Sequence, residues 1–231
     1  MQKKADKKNI CPEPGLFGRK ENPEVYSFKE ELANSLTHGL GIALSLLGTG
    51  LMAAKAAASP APLNLFAALV FGISMCLLYT ASTLYHSSGK PSTKKTFKIL
   101  DPAGIYLLIA GSYTPFSLLA FSGFWKWGLF SVIWTIALFG VFFKIFFTGR
   151  FRKLSLALYL GMGWLAIFAL PEMLNRLLEN CLALLLLGGL SYTCGVIFYI
   201  QKKKAYTHAV WHFFVLLGSL FHFLAVYLFL L

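Results

Sequence analysis

Apolar residues occupy this chain in seven long blocks, separated by short polar strings that carry most of its charge. The blocks cover roughly 31–57, 63–86, 101–121, 124–147, 154–171, 181–201 and 207–230. A helix needs about 20 apolar residues to cross the hydrocarbon core of a bilayer, so each block is read as one transmembrane helix. The fifth, from Leu154 to Pro171, is the shortest. Alternating polar positions that would mark strands are lacking, and the expected fold is all-α: a polytopic membrane protein of seven helices. Of the 231 residues 57% are hydrophobic, which rules out an ordinary soluble domain. The loops are too short to hold a separate domain.

A net charge of +12 at first suggests a nucleic-acid partner, but its placement argues otherwise. Eighteen of the 21 basic residues fall on one side of the predicted membrane: before the first span, between spans two and three, around the turn from four to five, and at Lys202–Lys204. Only Lys55, Lys126 and Arg176 fall on the other. Positive loops stay in the cytoplasm, which puts the N-terminus inside and the C-terminus outside. The basic strings then serve topology and contact anionic lipid. No nucleic-acid partner is expected, and the expected location is the plasma membrane (bacterial inner membrane), with membrane lipids as partners.

Residues 1–27 are charged and broken by prolines, with no apolar run of signal-peptide length, and are expected to form a mobile basic cytoplasmic tail. Residues 28–231 are expected to form the seven-helix domain, with Phe28 to Glu31 starting a short interfacial helix that leads into the first span. Cys11, Cys76, Cys181 and Cys194 lack metal-ligand spacing and are read as small hydrophobes.

Polar residues within the spans collect at one depth. His208 and His212 open the seventh span one turn apart, on one face. His86 closes the second, and Asp101 opens the third, at the same cytoplasmic end. Histidine in a span is expensive and calls for a metal, a proton path or a ligand. Three imidazoles with an open position make the ligand set of a catalytic zinc site, where the bound water's pKa falls to about 7. Asp101 then suits a general base, and Ser82, one turn before His86, a hydrogen-bond donor to an oxyanion or to the water. The plainer reading has interfacial histidines bonded to backbone or headgroups, with Asp101 as a helix cap before Pro102. Glu31, Asn34 and His38 form a stripe on the first span that suits either support for the site or helix packing. His222 lies about 15 Å farther along its helix than His212 and is read as an interhelical hydrogen-bonding residue. Gly39-x-Gly41 and Gly161-x-Gly163 suit close helix contacts.

Four motifs in order give the chain a resemblance to a known family. Glu31-x-x-Asn34-x-x-x-His38, Ser82-x-x-x-His86, Asp101-x-x-Gly104-Ile105 followed by Gly111 to Pro115 (GSYTP), and His208-x-x-x-His212 with His222 resemble the haemolysin III family, the bacterial branch of the progestin and adipoQ receptor family. The resemblance runs from about Glu31 to Tyr227. It implies seven helices and a zinc ion held by His86, His208 and His212, with Ser82 and Asp101 as the other polar residues of the site. It also implies kinship with alkaline ceramidases, whose similar residues hydrolyse a lipid amide.

Three functions follow as expectations. The first is an intramembrane zinc hydrolase acting on an acyl lipid, a ceramidase-like amide cleavage. The second is a non-catalytic sensor or regulator in which zinc pins helices. The third, a pore-forming cytolysin, needs a polar face along a span, and no span has one.

Overall fold

The computed structural model describes residues 26–201 and 204–231. Of the tail expected over 1–27 only Tyr26 and Ser27 fall among the described residues; Cys11, Lys202 and Lys203 lie outside them. The helices are α1 (Phe28–Ala57), α2 (Pro62–Ser87), α3 (Pro91–Pro115), α4 (Gly123–Phe147), α5 (Arg152–Gly163), α6 (Leu170–Arg176), α7 (Glu179–Ile200) and α8 (Thr207–Phe229). A π-helical turn, Phe116–Ala120, extends α3, and a 3-10 segment, Leu165–Ala169, joins α5 to α6. Among the described residues seven helical stretches are long and apolar enough to cross a membrane, α5 and α6 together making the fifth.

Local chemistry sets each start. Ser27 and Glu30 form a reciprocal capping box, so α1 runs unbroken from Phe28, and Phe28 to Glu31 are its first turn rather than a separate interfacial helix. Its buried positions, Asn34, His38, Gly41, Ser45, Gly48, Met52 and Ala56, recur every three or four residues and form one stripe of mostly small or polar side chains. Small residues let backbones approach without a hydrophobic drive between helices. At Gly41 an added Cβ would meet Tyr79 and Leu216 at 2.8 Å. At Gly161 and Gly163 it would meet nothing within 4 Å, so no neighbouring helix packs on the bare face of that pair.

Two helices differ from the sequence expectation. Asp101 does not open the third span: α3 starts ten residues earlier, with Pro91 in its first turn and Lys90 as cap. The turns PSTKKTFKIL are helical yet carry Lys94, Lys95 and Lys98, so an apolar window passes over them. Asp101 is therefore an interior helix residue, and the cap reading is overturned. The fifth crossing does not end at Pro171 but runs to Arg176, because Pro171 sits in the first turn of α6, where no N–H is needed. The break before it is bridged by one side chain. Tyr113 Oη donates to the Gly163 carbonyl and accepts from the Ala166 N–H, both at 2.9 Å. Backbone groups freed inside a bilayer need such partners.

The helices close into a ring in which α8, α1, α2, α3 and α4 pack side by side and α7 packs on α8, whereas α5 and α6 touch α3, α4 and α7 only lightly. Of the most apolar stretch of the third crossing 72% is buried and of the second 56%, against 22% for the fifth and sixth, so the core lies along α2 and α3.

Candidate metal centre

α2 delivers His86 from its last turn and α8 delivers His208 and His212 from its first two. One ring nitrogen from each lies within 4.8 Å of the others. The ring centroids are 5.1 Å apart for His86 and His208, 5.2 Å for His86 and His212, and 4.5 Å for His208 and His212. His86 and His212 are buried and His208 is half-buried.

The first helix holds two of these rings from behind. Glu31 Oε2 accepts from His86 Nδ1 at 2.6 Å, and its other oxygen takes the ammonium of Lys94. The Asn34 amide lies 3.5 Å from the same His86 nitrogen. His212 Nδ1 donates to the Asn34 carbonyl at 3.2 Å. Occupying Nδ1 fixes the tautomer and turns the Nε2 lone pair toward the cluster. His86 Nε2 is buried and has no hydrogen-bond partner among the described residues. A buried acceptor left so costs roughly 1–3 kcal/mol, which a metal ligand bond would offset. The donor chemistry thus fits a zinc ion, with imidazole ligands backed by a carboxylate and a carbonyl.

His38 is not part of the three-ligand group. It stacks on His212 with centroids 3.6 Å apart and planes at 14°, and meets Tyr79 edge-on at 5.1 Å. Neither of its buried nitrogens has a partner among the described residues. Asp101, half-buried on α3, has His86 and Ser82 as its charge and hydroxyl neighbours. Ser82 is fully buried, and its hydroxyl makes no well-formed hydrogen bond.

Beside the cluster lies a cavity of about 570 Å³ between α3, α5, α6, α7 and α8. Asp101, His38, His208 and His212 line one end, and Phe116, Phe121 and Met173 the other; His86 and Ser82 stand behind the wall. His222 lines it midway, its ring lying over Gly188 and edge-on to Tyr192 at 5.5 Å, so it packs between helices, while its buried Nδ1 has no hydrogen-bond partner among the described residues.

Sequence reasoning missed Tyr26. Outside the spans, its ring lies 5.3 Å from His208 and 6.0 Å from His86. Burial pushes its phenol well above its usual range, so it stays neutral. Nothing in the spacing before α1 pointed to it. The stack of His38 on His212 was equally hidden, since it joins helices at opposite ends of the chain.

Residues 26–223 match the family described as haemolysin-III related. The chain is 44% identical over 203 residues to hemolysin-3 of Bacillus cereus, covering 88% of this chain and 93% of that protein. It is 43% identical over 195 residues to a hemolysin-3 homolog of Bacillus subtilis (strain 168), covering 84% and 92%. A human monocyte to macrophage differentiation factor is 29% identical over 207 residues, covering 87% of this chain and 84% of its own length. Every motif singled out in the sequence, from Glu31 to His222, falls inside the matched stretch, and the chain belongs to the haemolysin III family.

Proposed function

We propose that this membrane protein is a zinc-dependent hydrolase that cleaves an acyl lipid, an amide by analogy with ceramidases, at the cytoplasmic side of the plasma membrane. The observation that carries this reading is the meeting of three histidine nitrogens and Asp101 at the end of an apolar cavity. His86, His208 and His212 would hold the metal. When bound, zinc supplies Lewis acidity for a carbonyl and a water made easier to deprotonate.

The chain's own residues divide the remaining work. Asp101 faces the cavity and accepts a proton from the attacking water, then returns it to the leaving group. Ser82, buried behind Asp101, is placed to orient that carboxylate rather than to meet a substrate oxygen. Glu31 and Asn34 hold the rings of His86 and His212 in register, and His38 packs the His212 plane. The apolar walls take the acyl chain, excluding water and fixing the linkage against Asp101. The charged lining is gathered at the histidine end, so the cavity gives ions no charged path through the bundle, which disfavours a pore.

The test combines zinc content with hydrolysis of long-chain amides by the purified protein. Stoichiometric zinc with turnover lost in Asp101→Asn supports the hydrolase. Stoichiometric zinc with no turnover of any acyl amide or ester would favour the non-catalytic sensor.

A further inference from the structure

Four cations reach the cavity wall at its histidine end: Lys98 on α3, Lys144 near the end of α4, Arg150 in the following turn and Arg152 at the start of α5. Asp101 is the only acid among the described residues lining that cavity. Basic residues that serve topology alone face headgroups and water, as the exposed Lys90, Lys95 and Lys153 do. The cavity's cations differ. Lys98, Arg150 and Arg152 are half-buried, and Lys144 is only 6% exposed. Lys98 and Arg150, held against that wall, lose hydration and rotamer freedom, a cost that an anion in the same space offsets.

Position sharpens the point. Lys98 precedes Asp101 by three residues and shares its helix face, so a positive charge sits one turn from the carboxylate. The Arg152 guanidinium lies over the Tyr199 ring at 4.5 Å and donates to the Tyr199 carbonyl at 3.3 Å, which fixes it near His208. An acyl chain in the apolar part of the cavity would bring its headgroup among these cations.

We propose that this end of the cavity is an anion subsite, selecting acyl lipids whose small headgroup carries a carboxylate or phosphate close to the cleaved linkage. An N-acyl amino acid is the simplest such molecule. The headgroup of a ceramide is neutral and draws nothing from this field. The inference rests on the proposed hydrolysis for the linkage, but binding can be read without turnover.

The experiment is displacement of a fluorescent fatty alcohol from the as-purified full chain in neutral detergent, in the cold. The competitors are N-oleoylglycine, N-oleoylethanolamine, oleoyl lysophosphatidic acid and inorganic phosphate. The first two share chain and amide and differ in one charge. N-oleoylglycine and lysophosphatidic acid are expected to bind about tenfold or more tighter than N-oleoylethanolamine. The gap should narrow with salt, close in a Lys98→Gln/Arg150→Gln chain and persist in Lys98→Arg/Arg150→Lys. Equal affinities, failure of every lipid to bind, or a gap that survives the glutamine pair would overturn the subsite. Displacement by inorganic phosphate as effective as by lysophosphatidic acid would make it a free-phosphate site and overturn the lipid assignment. Anionic preference without turnover leaves the subsite and removes the hydrolase; turnover of N-oleoylethanolamine without preference does the reverse.

Discussion

The two sides of this bundle are built for different tasks. Along α1, α2 and α3, bare glycines meet side chains at contact distance: a Cβ on Gly72 would lie 2.3 Å from Thr49 Oγ1. Along α5 and α6 the crossing is broken, the packing light, and the cavity opens. The histidine cluster lies between them. Its orienting partners Glu31 and Asn34 come from the packed side, and the space for a ligand comes from the loose side. A metal site needs ligands held rigidly, whereas a lipid-sized ligand needs walls that yield. Placing the cluster at the boundary meets both demands.

Substitutions can break this division, and the largest effect falls on the metal. His212→Ala removes a proposed ligand that α1 holds through the Asn34 carbonyl, and elemental analysis should find zinc lost from the purified chain. Stoichiometric zinc in that variant would sink the assignment. Asp101→Asn keeps all three imidazoles and should retain zinc while turnover falls about 10²–10⁴-fold, the usual worth of a general base. Unchanged rates would remove Asp101 from that role. Glu31→Gln weakens the anchor of His86 and should lower zinc affinity roughly 10–100-fold, read by competition with a chelator. An unaltered affinity would mean that α1 does not tune the site.

The smallest effects contrast the two sides directly. Gly72→Ala forces Cβ against Thr49 and should destabilise by about 1–3 kcal/mol. Gly161→Ala, on a helix with open space beside it, should stabilise by roughly 0.5–1 kcal/mol. Thermal unfolding of the two variants in one detergent gives the comparison, and equal shifts would erase the distinction between packed and loose sides.

Much of this was legible in the sequence for physical reasons. A span must be apolar over its whole length, so seven blocks could be counted and seven crossings are found. His208 and His212 at four-residue spacing must share a face, and the charge bias placed His86 at their depth. What hydropathy could not read were helix ends and breaks. It measures transfer into lipid, and the lysine-rich first turns of α3 are helical outside that lipid. Asp101 consequently looked like a cap when it is an interior residue. Pro171 likewise looked like an end because its tolerance in a first turn depends on the break before it, which Tyr113 bridges from another helix. Lateral contacts were out of reach altogether: the stack of His38 on His212, the burial of Ser82, and the cations turned into the cavity. The same lysines and arginines that report topology in the sequence divide in three dimensions into exposed and cavity-facing groups.

The most direct measurement is elemental analysis of the detergent-purified protein beside His86→Ala and His208→Ala, with folding of each checked by its elution and melting. About one zinc per chain in the parent, lost in both variants, is the predicted result. A parent purified without chelator that holds no zinc, or variants that keep it, would mean that the three histidines are a polar packing cluster, and the metal centre with its hydrolytic role would be wrong.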